Sequence, residues 1–339
     1  MPASRPATQA TTAPVYATWP FDAKEAARRQ DETAKALGIS KETALDLGHG
    51  VTIKFVLIPA GKFVMGSSLI EQESVKSLAE KAGLKGLDLT DEGPQHEVTI
   101  SKPFYFASCH VTKRQFAAFV DDSGYKTDAE TAGNAVAWQG GRWAETKGVS
   151  WQRAGFNQTD ERPVVCISHN DAVAFCRWLG KKHGKQVTLP SEAQFEYSCR
   201  AGTTTAYCWG DDPAKGEGWC NIADKAFSAE FHTVPLNGWN DGYPFTSPVG
   251  TFKANAFGLH DMCGNTWQWC SDWYEKAYYA MSPPLDPQGS ATKQYRVLRG
   301  GSWFTAFWFS RSASRERFVP SSRGTDTGFR VVITDIDRK

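Results

Sequence analysis

The chain has 339 residues, with 38 basic against 37 acidic side chains, a balance that leaves no basic field for nucleic acid and no acidic tail for a cationic partner. Its length fits one domain carrying an extension, and 13 Trp and 30 Gly with 4 Met suit a loop-rich fold of short strands rather than a helical bundle. No apolar stretch is long enough to span a membrane, and no hydrophobic signal-peptide core is present. The cysteines, at 109, 166, 176, 199, 208, 220, 263 and 270, form no CxxC and no repeated metal-type spacing, which argues against zinc.

Residues 1–18, rich in Ala, Pro and Thr, read as a disordered tail. Such a segment often follows a removed export signal, so an exported or cell-surface location is an expectation. Residues 19–49 read as a helical extension. DAKEAARRQDETAKAL at 22–37 predicts an exposed amphipathic helix, and Gly38, Gly48 and Gly50 mark its end and the turn before a strand near 51–58. Phe63-Val64-Met65, Val98-Thr99-Ile100 and Phe104-Tyr105-Phe106 predict strands, and Thr112 is the expected cap of a helix over 112–122.

A helix over 168–183 starts from Ser168 or Asn170 and puts Ala172, Phe175, Cys176 and Leu179 on one face. A third, over 191–200, opens at Ser191 with Glu192 and Glu196 following, close to a capping pattern. Residues 203–250 have little periodicity, and a loop region this long is usually functional or held by ions. Trp267, Trp269 and Trp273 then alternate as in a half-buried strand; they read as core, with ligand stacking by one of them as the other reading. Cys263 and Cys270 flank this strand, too far apart along an extended segment to act as a redox pair, and read as small core residues. Finally, Phe304, Phe307, Trp308 and Phe309 follow Trp303 inside a polar frame. A run that apolar is either a buried strand or an exposed binding surface.

The frame itself is RGGSW at 299–303, Arg311-Ser312-Ala313, Arg315 and Gly328-Phe329-Arg330. It resembles the C-terminal signature of the formylglycine-generating enzyme, or sulfatase-modifying factor, family. The resemblance extends over IPAGKFVMGS at 58–67, VTISKPFYFASCHVTKRQFAAFV at 98–120, PVVCISHNDAVAFCRWLG at 163–180, LPSEAQFEYSCRAG at 189–202 and NAFGLHDMCGNTWQWCSDWY at 255–274. It implies an α+β, C-type-lectin-like fold of formylglycine-generating-enzyme type over residues 50–339, loop-rich with little regular secondary structure.

In that family's catalytic members a copper-binding pair of cysteines, four residues apart, follows the RGGS-aromatic motif. Here the two positions are Thr305 and Ser310, and no cysteine lies beyond Cys270. A hydroxyl does not bind cuprous ion as a soft thiolate does, so neither copper nor formylglycine generation is expected. Cys176 and Cys199 match disulfide-forming positions whose C-terminal partners are lost, one of them at Val331, so several free thiols are expected.

The resemblance also implies two calcium clusters. The first maps to Asn221, the backbone of Ile222, Asp241 and the backbone of Tyr243; the second maps to Asp261, Gly264, Thr266 and Gln268, with Gln268 in place of the family's usual Glu. Mixed carboxylate and carbonyl oxygens suit structural calcium, while the alternative is that Asp241 and Asp261 cap turns. The seven histidines are scattered. A three-histidine iron site, as in the ergothioneine-type sulfoxide synthases that share this domain, needs a helical domain the extension is too short to supply. His110, His169 and His260 therefore read as structural.

In catalytic relatives the aromatic segment floors the substrate groove; in relatives diversified by retroelements it is the variable binding surface. Large rings among Ser, Thr and Arg resemble a paratope. The expected ligand-binding set is Trp303, Phe304, Thr305, Phe307, Trp308, Phe309, Ser310, Ser314 and Phe318, with a protein or peptide as ligand. The bland alternative is that half of the rings fill the core. Loss of both copper thiolates favours a non-catalytic binding protein, in particular a diversity-generating-retroelement variable protein; the alternative is an oxidoreductase of the wider family acting in protein or peptide maturation, similar to those that mature peptide siderophores.

Overall fold

The computed structural model of the chain describes residues 13–336. Its largest sheet has five strands in the order Glu42–Gly48, Val51–Ile58, Phe104–Ala107, Val332–Ile333 and Val187–Thr188. The short strand from the chain's far end thus sits between strands from its first two thirds. A four-stranded sheet follows the order Arg315–Phe318, Arg296–Arg299, Trp267–Trp273 and Thr327–Gly328. Two pairs complete the β structure, Gly61–Met65 with His96–Ile100 and Asn134–Gln139 with Arg142–Lys147.

The central strands read as continuous apolar runs because both faces are covered. Phe55, Leu57 and Tyr105 pack with Phe116, Phe175, Trp269 and Phe329 in one cluster, whereas Val56, Ile58, Phe104 and Phe106 pack with Phe195 and Phe257 in the other. Trp267 and Trp269 are buried in the first of these clusters. Trp273 is half-buried, with the Arg296 guanidinium 3.5 Å above its ring.

Helix starts follow local chemistry. Thr112 caps Lys113–Ser123 and Ser168 caps His169–His183, each in a reciprocal box closed by Gln115 and Asp171. Ser191 caps Glu192–Arg200, but the reciprocal partner is Gln194 rather than Glu192 or Glu196. Both glutamates are instead buried and ion-paired.

The N-terminal helix, Ala23–Leu37, is more embedded than its charge pattern predicts. It buries Ala26, Arg29, Gln30, Thr33 and Ala34, and Gln30 Nε2 donates to the carbonyls of Leu57 and Phe257 at 2.9 and 3.1 Å. Residues 42–48, within the stretch read as an extension, pair with 51–56 in the main sheet. The reading of 1–18 as a disordered tail lies outside the described residues as far as residue 12. Beyond it, Tyr16 is ordered: its N–H donates to the Ala60 carbonyl at 3.1 Å and its carbonyl accepts from Lys62 at 2.9 Å. Among the described residues no helix is long and apolar enough to cross a membrane.

Candidate functional site

The polar frame is internal. Arg299, Arg311, Arg315 and Arg330 are all buried. Arg299 donates to the Glu196 carboxylate and to the carbonyls of Ser312, Ala313 and Ser314. Arg311 grips Glu92 through two nitrogens at 2.8 and 2.6 Å and reaches Glu71 at 3.0 Å. Residues 300–314 form no strand and so expose carbonyls that no ladder satisfies, and the five donors of a guanidinium meet that need with its charge held by a buried glutamate.

This frame folds most of the aromatic run inward, which corrects the expectation of an exposed binding surface. Trp303, Phe307 and Trp308 are 0%, 7% and 4% exposed, and Ser310 and Ser314 are buried as well. Trp303 donates through Nε1 to the Thr325 carbonyl at 3.2 Å. Phe304, Thr305 and Phe309 are half-buried and Phe318 is exposed, so these four are the members of the expected set that border open space.

Open space lies on both sides of Phe304. A cavity of about 310 Å³ is lined by Val136, Trp143, Trp267, Phe304, Thr305, Phe309, Phe318, Glu316, Arg323 and Asp326. A wider one of about 780 Å³ runs between Trp138, Phe227, Phe231, Val234, Leu236 and Phe304. The Phe304 ring lies 4.6 Å from Trp138, 4.7 Å from Trp143 and 5.3 Å from Phe227. Together these make an aromatic-walled groove divided by one ring.

The hairpin Asn134–Lys147 builds the outer wall of that groove and was not read from the sequence. Its turn is Gly140-Gly141, with φ of 56° and 82°, the left-handed pair that a two-residue hairpin demands. Backbone bonds from Val136 to Arg323 and from Thr325 to Val136, each 2.9 Å, fasten the hairpin to the C-terminal segment. Sequence reasoning also passed over Phe227 and Phe231 on the short helix Lys225–Phe231, and over Asp326 and Glu316.

Behind the smaller cavity's lining, Thr305 Oγ1 lies 3.3 Å from the buried Ser310 Oγ. Thr305 Oγ1 also donates to the Ser302 carbonyl and accepts from the Ser302 N–H, both at 2.9 Å. Ser302 Oγ donates to Asp326 Oδ2 at 3.2 Å. Burial pushes the Asp326 carboxyl up to about 6 and raises that of Glu316.

At the first expected ion cluster the side chain of Asp241 accepts from the backbone N–H groups of Ile222 and of Tyr243, two residues on, at 3.3 and 2.7 Å, as in the turn-capping alternative, and its own N–H donates to Asp224 Oδ2. Burial, and then the Asp224 charge, push Asp241 up to about 8. Asp224 in turn accepts from the Ala226 and Phe227 N–H groups, so the oxygen of this group left without a partner is the buried Asn221 Oδ1, the kind of hard donor calcium takes. Among the described residues no three His, Cys, Asp or Glu side chains converge as a metal cage, so the site would depend on Asn221 and main-chain carbonyls.

The second cluster is occupied by the protein itself. Arg330 Nε donates to Gln268 Oε1 at 2.5 Å, and His110 Nε2 lies 3.3 Å from the Thr266 carbonyl. Two of the four expected ligands are therefore engaged beside a guanidinium, a poor fit for calcium, although Asp261 Oδ1 and Thr266 Oγ1 have no partner. Gly264 joins the two clusters: its φ is +80°, and a Cβ there would lie 2.2 Å from the Asn221 carbonyl oxygen. Of the histidines, His110 and His260 meet at Arg330, while His169 packs against Trp269.

A family model described as the sulfatase-modifying factor enzyme 1-like domain matches residues 49–335. The formylglycine-generating enzyme of Streptomyces coelicolor is 34% identical over 301 residues, covering 81% of this chain and 87% of that protein. The solved structure of PvdO from Pseudomonas aeruginosa superposes with a TM-score of 0.67 at 29% identity, over 86% of this chain and 98% of that one. Treponema denticola variable protein 1 superposes with a TM-score of 0.63 at 20% identity, over 87% and 100% of the two chains, a likeness of fold alone. The chain belongs to the sulfatase-modifying factor enzyme 1-like family and carries a hydroxyl pair, Thr305 on the lining of the smaller cavity and Ser310 buried next to it.

Proposed function

We propose that this chain is a ligand-binding member of its family that does not generate formylglycine, and that the groove divided by Phe304 holds a protein or peptide segment. The observation that carries the reading is the contact of Thr305 Oγ1 with Ser310 Oγ at 3.3 Å. The fold brings the two positions together, yet they present hard hydroxyls where copper chemistry needs thiolates. Rigid rings on both sides of Phe304 supply apolar contact area at low entropy cost, and Asp326, Glu316 and Arg323 give the smaller cavity a few polar groups to orient a ligand. A surface diversified by retroelements would be confined to Phe304, Thr305, Phe309, Phe318 and Val319, since the buried members of the run could not vary freely. Structural calcium would sit between Asn221, Asp241 and neighbouring carbonyls, holding the loop that carries the wider cavity's wall.

A second reading, an oxidoreductase in protein or peptide maturation, is favoured by Asp326. A carboxyl pushed up to about 6, bonded to Ser302 and bordering the aromatic cavity, is suited to exchange a proton near neutral pH.

Selection of displayed random peptides on the immobilised protein, repeated with Phe304→Ala, separates the two. Peptides that bind wild type, fail on Phe304→Ala and are recovered unchanged in mass support the binding reading. Peptides recovered with an altered mass, under air and with Asp326→Asn inactive, would establish the oxidoreductase instead.

A further inference from the structure

Sequence spacing gives no hint that Cys199, Cys208 and Cys263 meet, yet the fold collects them away from the groove. Cys199, near the end of Glu192–Arg200, places its Sγ 3.9 Å from Cys263 Sγ, 3.6 Å from Ser312 Oγ and 3.8 Å from the Met262 carbonyl. Cys208 stands close enough to Cys263 that the two neighbouring thiols, Cys199 and then Cys208, together with burial, push the Cys263 thiol well above its ordinary range. Cys199 and Cys263 are buried, whereas Cys208 is half-exposed, and none is bridged.

Two sulfurs 3.9 Å apart are in van der Waals contact, so side-chain rotation and a small backbone adjustment would bring them to the bonding distance of about 2.05 Å. The hydrogen bond from Cys263 holds the Cys199 thiol below its ordinary range despite burial, and Ser312, Arg299 and Arg200 act in the same direction. Cys199 is therefore the member best prepared to attack as a thiolate. What it lacks is access to solvent, which Cys208 has.

We propose that Cys199, Cys208 and Cys263 form a thiol relay, in which Cys208 takes up oxidation from a small-molecule disulfide and passes it inward to a Cys199–Cys263 disulfide. In the first step the Cys208 thiolate attacks one sulfur of the external disulfide, forming a mixed disulfide and releasing one small thiol. Cys263 then attacks the Cys208 sulfur and expels the second small thiol. Cys199 attacks the Cys263 sulfur, and Cys208 leaves as a thiol. The net exchange converts two protein thiols and one external disulfide into one protein disulfide and two small thiols, with two electrons passing outward.

The bond would staple the helix that carries Glu192 and Glu196, the anchors of Arg315 and Arg299, to the segment in which Gly264 N–H donates to the Gly300 carbonyl at 2.7 Å. Oxidation would thus tighten the scaffold beneath the groove. Cys109, also partly exposed, serves as the internal control: burial pushes its thiol up to about 11.

The test uses the full chain, reduced with dithiothreitol, desalted, and incubated with oxidised glutathione without denaturant. After alkylation and proteolysis, mass spectrometry should find a peptide pair linked through 199 and 263, reversed by dithiothreitol and accompanied by a higher melting temperature. Cys208→Ser, a change at a half-exposed site, should slow the link by about tenfold or more, since the oxidant must then reach a buried sulfur. Absence of the 199–263 link once Cys208 is fully modified would overturn the proposal. So would a stable Cys208–Cys263 end product, or an unchanged rate in Cys208→Ser.

Discussion

Arg315 grips Glu192 through two hydrogen bonds, Nε to Oε1 at 2.7 Å and Nη2 to Oε2 at 2.9 Å, and both side chains are buried. The pair joins the strand Arg315–Phe318 to the first turn of Glu192–Arg200. Removing one partner leaves the other charge unpaired in the interior, so Arg315→Met should lose about 3–5 kcal/mol in urea denaturation. Arg315→Lys should recover only part, because an ammonium lacks the planar fork and the stacking over Tyr274 and Tyr279. A loss of about 1 kcal/mol or less, typical of a surface pair, would mean that the frame does not hold the fold together as argued.

The same frame sets Phe304 apart from Phe307 and Trp308. Phe307 and Trp308 lie in the core, so Phe307→Ala or Trp308→Ala should cost about 3–5 kcal/mol each. Phe304 is half-buried and borders both cavities. Phe304→Ala should therefore cost less stability than either while weakening ligand capture. Thermal melts beside binding measurements on the three variants check the contrast.

What the sequence made legible was local or alternating. The caps at Thr112, Ser168 and Ser191 depend on residues three apart, and the Trp267–Trp269 alternation depends on residues two apart. What it hid is long-range. The charges that let Arg299, Arg311 and Arg315 be buried come from Glu196, Glu92 and Glu192, each more than a hundred residues away, so a buried frame looked like the border of a surface. Val332–Ile333 contributes two residues to the middle of the main sheet, too few to show a period. The Asn134–Lys147 hairpin did leave a signal in Gly140-Gly141, but one partly hidden by the weak alternation of its strands. Cysteine positions name their types and not their neighbours: Cys263 flanks the Trp strand with Cys270 along the chain, but it is Cys199 that its sulfur meets in space.

Stability should fall as pH rises across the acid-to-neutral range, the reverse of what a salt-bridged carboxylate gives. Asp272 is buried, and burial, followed by the Glu192 charge, pushes it up to about 7 from an ordinary 3.8. Between those values the folded chain holds a proton that the unfolded chain has released, so stability declines as pH rises through that window and levels off above it. Asp326, raised to about 6, acts in the same direction. Urea midpoints near pH 5 and pH 8 (about, spanning the linkage window), taken with calcium present, should differ less in Asp272→Asn than in wild type. An equal difference in the two proteins would exclude Asp272 as the source.

Calcium should act through one cluster. Asp241 and Asp224 crowd each other beside the unpartnered Asn221 Oδ1, whereas Arg330 already stands on Gln268. Chelation should lower the melting temperature, and added calcium should restore it. Asp241→Asn should abolish that response, and Gln268→Glu should leave the calcium stoichiometry at one. A second equivalent bound by wild type would show that Arg330 yields to the ion.

The hydroxyl pair gives the most direct test of what the scaffold has given up. Thr305 Oγ1 and Ser310 Oγ stand 3.3 Å apart, from either side of the turn Phe307–Phe309, and Arg311 Nε donates to the Trp308 carbonyl within that turn at 2.9 Å. If the scaffold is otherwise intact, Thr305→Cys combined with Ser310→Cys places two sulfurs within reach of one soft ion. The double variant, kept reduced, should bind one equivalent of cuprous ion in competition with a chromogenic chelator, and neither wild type nor either single variant should do so. Because Ser310 is buried, its larger thiol has to be accommodated, and a melting temperature close to wild type would show that it is. A folded double variant without copper affinity would mean that the groove has diverged beyond this pair of side chains, and that replacing them is insufficient to restore even the first step of the family's chemistry.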